Sequence, residues 1–168
     1  MKARNAIVEV EMKIRGLMMD PGTNMPIVIL KDIAGSTVLP IWVGIYEANA
    51  IALEIEKVST PRPMTHDLLK SVLVGLHAGI QKVVVSELKE DTFYALIWLE
   101  RGGELISVDS RPSDALALAL RLDCPIFVDD SVLKSSKLTA SVSDKVNTEE
   151  LRRWLEGLND EDMGRYKM

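Results

Sequence analysis

A single cysteine, Cys124, is all that the 168-residue chain contains, which excludes an internal disulfide and any cysteine-cluster metal site. Long apolar runs are missing too, since none approaches the roughly 20 residues needed to cross a bilayer. Met1-Lys2-Ala3-Arg4-Asn5 passes straight into an alternating pattern without the continuous apolar stretch of a signal peptide. A cytoplasmic location with no membrane partner is the expectation. Excess positive charge is also absent: 20 Lys and Arg stand against 25 Asp and Glu, a formal charge of −5. Proteins that bind nucleic acid by neutralising phosphates are usually basic over the binding face, so this balance argues against a passive nucleic-acid coat. It leaves room for an acidic active site that uses a divalent ion. GxGxxG, GxxxxGK[ST], HExxH and GxSxG do not occur, which removes support for dehydrogenase, P-loop, zincin and hydrolase-elbow readings.

What is present is an ordinary globular composition, 47% hydrophobic and 27% charged, without low-complexity tracts. A chain of this size makes one domain that buries roughly 70% of the surface its unfolded form exposes. Val8, Val10, Met12 and Ile14 alternate with Glu9, Glu11, Lys13 and Arg15, the period of a half-buried strand. Asp20-Pro21-Gly22 marks a turn, and Ile27–Leu30 and Thr37–Val43 read as two further strands of an antiparallel start. Val83–Leu88, Phe93–Glu100 and Glu104–Asp109 read as a meander, and Pro125–Val128 as one more short strand.

Helical spacing begins near Tyr46 and runs to Val58, with Ala48, Ile51, Ala52 and Ile55 on one stripe. After Pro61-Arg62-Pro63, Thr65 is the expected N-cap of a second helix, with core face Leu69, Val72, Leu73 and Leu76 and with Gly79 ending it. The Ala-Leu alternation from Ala115 is ambiguous by period, but both residues favour helix and Pro112 suits a first turn, so a buried helix is expected. Asn147 with Glu150 resembles a capping pair for an amphipathic helix at about 148–158 carrying Leu151, Trp154, Leu155 and Leu158. The expected fold is α+β: a single domain of mostly antiparallel sheet with three packed helices, over residues 1–135. A C-terminal extension, 136–168, would hold the amphipathic helix and a frayed tail.

The chemistry-bearing residues gather around a phrase written twice, Arg62-Pro63-Met64-Thr65-His66-Asp67 and Arg111-Pro112-Ser113-Asp114, each placed where an irregular segment becomes a helix. A helix start leaves unpaired N–H groups and partial positive charge, which an Asp satisfies or a phosphate occupies. His66 and Asp67 can supply a base and a carboxylate, or Asp67 can answer the helix dipole while His66 lies on the surface. Asp109, Arg111 and Asp114 can hold a divalent ion and a phosphate, or form a salt bridge. Glu47 and Glu54, seven apart, share a helix face that points into a cleft or into solvent. His66 and His77, if on one helix, are about 16 Å apart and cannot share a metal. Trp42, Trp98 and Trp154 read as core or interface anchors, and Cys124 as a buried thiol.

Leu39-Pro40-Ile41-Trp42-Val43-Gly44, Glu47-Ala48-Asn49-Ala50-Ile51-Ala52-Leu53, the Arg62–Leu69 block and Asp109–Ala119 together resemble the bifunctional nuclease (BFN) domain family, over roughly Ile7 to Val132. The resemblance implies hydrolysis of RNA and DNA by a compact, self-associating α+β domain, with a dimer favoured. By position within the blocks, Glu47, His66, Asp67, Asp109 and Asp114 are then the candidate catalytic residues and Arg62 and Arg111 the phosphate-binding ones, with Mg²⁺ or Mn²⁺ as cofactor and nucleic acid as substrate. Some relatives append a UvrB/UvrC-type helical module, and no motif of that module is legible here. The alternative is a non-catalytic homo-oligomeric module whose helix starts bind a small anion or a partner protein.

Overall fold

A computed structural model describes residues 6–142, with side chains to residue 136. The alternating N-terminal pattern forms β1 (Glu9–Met19), followed by β2 (Pro26–Asp32) and β3 (Val38–Trp42). Two helices follow, α1 (Ile45–Ile55) and α2 (Thr65–Gly75). The meander is β4 (Gly79–Lys89), β5 (Thr92–Arg101) and β6 (Glu104–Ser110); then come α3 (Pro112–Leu122), β7 (Ile126–Asp129) and α4 (Asp130–Val142). The seven strands form one sheet in the order β3-β2-β1-β7-β4-β5-β6. Every pairing is antiparallel except β4 with β7, where Val83 lies beside Ile126 and Val85 beside Val128. The architecture is the expected α+β single domain with a mostly antiparallel sheet.

The core forms where the apolar face of the sheet meets α3. Leu116, Ala117 and Leu118 are 0–1% exposed and pack with Val83, Val85, Ala95 and Ile97 from the meander and with Val28, Leu30, Leu39 and Ile41 from the first three strands. α1 adds Ala48 and Ile51, and α4 adds Val132 and Leu133. The Ala-Leu run is therefore a helix buried almost all round, the condition under which period loses its meaning.

Several local expectations are corrected. α2 is capped at Met64, with Thr65 as its first helical residue, because Asp67 Oδ2 accepts the Met64 N–H at 2.9 Å. α2 ends at Gly75 and Gly79 opens β4. The turn between them is a Schellman pattern: His77 takes φ +55°, its N–H bonds Val74 O at 3.0 Å, and the Ala78 N–H bonds Leu73 O at 2.9 Å. His77 thus lies outside α2. The expected core face of α2 is mostly on the surface, with Leu69, Val72 and Leu76 39–50% exposed. The helix rests chiefly on α3 and has only a narrow contact stripe, so it buries His66 and Leu73. Ile55, assigned to the α1 stripe, is 42% exposed. Trp98 and Cys124 are half-buried, and Trp42 is 42% exposed. α4 had no counterpart in the sequence reading; the helix expected at 148–158, with Trp154, lies outside the described residues.

Candidate active site at three converging helix starts

α1, α2 and α3 each carry one acidic residue in the first turn, Glu47, Asp67 and Asp114. The fold brings these helix starts together. Arg111, the N-cap of α3, donates from Nε to Asp114 Oδ2 at 2.9 Å and from Nη1 to Glu47 Oε1 at 2.8 Å. His66, in the first turn of α2, meets the other Asp114 oxygen through Nε2 at 2.9 Å. Glu47, Arg111, Asp114 and His66 therefore form one continuous chain of charge-assisted contacts across three helices. Gly44, the N-cap of α1, permits this: a β-carbon there would run into Glu47 Oε2.

Asp67 has a different partner. Its Oδ1 accepts from Arg121 Nε at 2.7 Å, and Arg121 also donates to Ala117 O at 2.9 Å and Ala50 O at 3.0 Å. Arg121 is only 8% exposed and ties α1, α2 and α3 together from below the site. Sequence reasoning missed it. The available signal was a lone cation inside an otherwise apolar Ala-Leu helix, a position that is almost never charged without a partner.

The electrostatics follow from these contacts. Burial pushes the Asp114 carboxyl up, but the hydrogen bonds from Arg111 and His66 outweigh it and hold the group below the ordinary carboxylate range. Asp67 is also held low, first by the Met64 N–H and then by Arg121. Arg111 is held above its ordinary value by Asp114 and then Glu47. Because an ionised carboxylate only accepts, the hydrogen-bond network assigns the His66 proton to Nε2 and leaves the Nδ1 lone pair open in the neutral ring. Nδ1 has no hydrogen-bond partner among the described residues, and no unpartnered side-chain nitrogen there is sealed from solvent, so Nδ1 reaches water. Arg111, with its side chain 65% exposed, uses two of its five N–H donors and presents the rest outward.

Two sequence candidates are not joined to this chain of contacts. Asp109 is exposed on β6 opposite Leu96, and Arg62 is exposed in the loop before α2; among the described residues neither has a side-chain hydrogen bond or ion pair to the network. Among the same residues no group of three His, Cys, Asp or Glu side chains stands as a ready metal-ligand set. Each oxygen of Asp114 and of Asp67 accepts one donor.

The three helix starts thus bring a histidine, carboxylates and an outward arginine together on one α+β domain. The bifunctional nuclease domain matches residues 28–141, and the chain belongs to that family. It is 40% identical over 128 residues to an uncharacterized protein of Mycobacterium tuberculosis, covering 76% of each chain. It is 25% identical over 122 residues to bifunctional nuclease 1 of Oryza sativa subsp. indica, covering 71% of this chain and 37% of that one. With bifunctional nuclease 1 of Arabidopsis thaliana the identity is 27% over 127 residues, covering 73% and 39%.

Proposed function

We propose that this domain hydrolyses phosphodiester bonds of nucleic acid at the three converging helix starts. The observation that carries the reading is the chain His66–Asp114–Arg111–Glu47, which sets a solvent-reaching imidazole nitrogen and an outward guanidinium on one carboxylate. The unused N–H donors of Arg111 take a phosphate oxygen in the fork geometry that guanidinium offers, and they stabilise the charge that grows there. His66 Nδ1 takes a proton from water as the water oxygen bonds to phosphorus. The opposite P–O ester bond breaks, and its oxygen leaves with a proton from solvent. Asp114 holds the His66 Nε2–H throughout and balances the imidazolium.

The nuclease names of the plant relatives support the reading at the level of the family. Mg²⁺ or Mn²⁺ enters the proposal as a condition to vary, and no step is routed through it. The test is cleavage of end-labelled single-stranded RNA and DNA with Mg²⁺, Mn²⁺ or EDTA, comparing the wild-type chain with Asp114→Asn. Cutting that falls at least a hundred-fold in the variant supports the site, and equal cutting by both overturns it.

A second reading, an anion- or partner-binding homo-oligomeric module without catalysis, draws on one observation. Leu68, Leu69, Val72, Val74 and Leu76 of α2 and its flank are 39–59% exposed beside the site, an apolar surface of the kind that marks interaction sites. It predicts binding of inorganic phosphate without cleavage under any metal condition.

A further inference from the structure

A cleft of about 310 Å³ opens where the end of β3 and the start of α1 approach the β4–β5 hairpin tip and the first residues of α3. In the sheet order β3 and β5 are separated by four strands, yet residues of both line this cleft. We propose that the cleft is a nucleobase subsite of the nuclease, holding the base attached to the phosphate that Arg111 grips. The inference rests on the nuclease reading and names what that reading lacks, the part of the substrate that fixes its position.

Size and walls fit such an occupant. Small-molecule sites begin near 300 Å³ and are lined by apolar and aromatic side chains with a few polar groups; this one has Trp42, Phe93 and Pro112 among its walls and Thr92 and Ser113 among its polar groups. Aromatic residues make up only 5% of the chain, yet two of them meet here from strands that are not neighbours. Trp42 is 42% exposed because it lies on the opposite face of β3 from Leu39 and Ile41, which face the core at 1–2% exposure. It is also held in place: its Nε1–H donates to Asp20 Oδ2 at 2.9 Å, and Asp20 is itself held by the turn through the Gly22 N–H at 2.9 Å and Thr23 Oγ1 at 2.9 Å. A fixed, exposed indole is a stacking surface that loses little freedom when a base lies on it.

Charge orients the occupant. The cleft's charged lining consists of one cation, Arg111, and one carboxylate, Asp91. Asp91 is presented by a tight hairpin whose two tip residues, Glu90 and Asp91, have φ +50° and +59°. Arg111 draws the phosphate and Asp91 repels it, so a nucleotide enters with its phosphate at the α3 start and its base away from it, against the aromatic wall.

The test measures equilibrium binding to the full chain by calorimetry in EDTA, with adenosine 5′- and 3′-monophosphate, ribose 5-phosphate and inorganic phosphate as probes. At least one adenosine monophosphate binds about ten-fold or more tightly than ribose 5-phosphate, within the range that stacking one base contributes. Trp42→Ala removes that advantage while leaving ribose 5-phosphate affinity unchanged, and Trp42→Phe, which keeps a ring, preserves most of it. Arg111→Ala weakens all the probes together. Equal binding of adenosine monophosphates and ribose 5-phosphate, or a Trp42→Ala variant that keeps the advantage, overturns the subsite. Cleavage without a base advantage removes the subsite and keeps the nuclease; a base advantage without cleavage does the reverse.

Discussion

Arg111 bridges Asp114 on its own helix and Glu47 on α1, with Nε and Nη1 at 2.9 and 2.8 Å. One guanidinium therefore fixes the relative position of two helix starts, and lysine cannot replace it, because an ammonium is a point charge on a flexible stem. Arg111→Lys should lower cleavage by roughly 10²–10³-fold, the scale of losing one oriented donor to a developing charge. Its stability should change by no more than about 1 kcal/mol, since exposed ion pairs contribute little and this side chain is 65% exposed. Parallel kcat/KM and urea-midpoint measurements check both halves. A large loss of stability would recast Arg111 as a structural tie.

Arg121 and Asp67 make the opposite case. The Arg121 side chain is 4% exposed and Asp67 is 34% exposed, so removing the carboxylate strands a cation with only two carbonyls for company. Asp67→Ala should cost about 3–5 kcal/mol, the range for breaking a buried pair from one side. The Asp67→Ala/Arg121→Met double variant should cost clearly less than the sum of the singles, with a coupling of about 0.5–3 kcal/mol. Urea unfolding of the four proteins measures this. Additive costs would mean that the pair is energetically idle. Loss of cleavage in an Asp67 variant accordingly says little about chemistry, which is why Asp114→Asn is the better probe of the site.

The contrast between these two arginines shows what the sequence made legible. Period-two runs marked the strands because their alternate residues face a core, and Pro112 and the Arg-Pro phrases marked helix starts by local chemistry. Helix ends were harder to read: Lys57, His77 and Asp123 take φ +51° to +55° where glycine is the usual signal. β7 lies between β1 and β4, a long-range pairing that no local pattern encodes. The site was half legible. His66, Asp114, Arg111 and Glu47 were named and are joined; Asp67 was named, but its partner Arg121 was hidden in an apolar helix; Asp109 and Arg62 were named and stand apart.

Acid should undo part of this network in a definite order of sign. Asp67 and Asp114 titrate below the ordinary carboxylate value of 3.8 in the folded chain. Between those lowered values and 3.8 the unfolded state binds more protons, so their stabilisation is present above about pH 4 and is lost as pH falls through the folded values. Asp114→Asn should therefore be less stable at neutral pH and should show a shallower fall in unfolding free energy between pH 5 and 2. The profile is measured by urea titration at successive pH values. An acid limb as steep as wild type would disconnect Asp114 from stability.

Cys124 is free, half-buried, and its thiol is pushed up to about 11, chiefly by burial. The reactive form is the thiolate, whose ordinary pKa is near 8.5. At pH 8 the native chain should react with a disulfide reagent at least about a hundred-fold more slowly than the same chain in urea. Stopped-flow thiol titration gives both rates; comparable rates would mean that the thiol is neither shielded nor shifted.

His66 offers the sharpest separation of chemistry from structure. Its Nε2 contact to Asp114 at 2.9 Å holds α2 to α3, while Nδ1 faces water without a described partner. Gln retains an amide N–H able to reach Asp114 and has no basic ring nitrogen. His66→Gln should therefore keep most of the fold's stability and lose about 10²–10⁴-fold in kcat, the range for a general base. Paired urea-midpoint and kcat measurements are the decisive readout. A variant that keeps both its midpoint and its turnover would mean that another group supplies the base, and that the Nε2 contact alone explains why His66 sits between the helices.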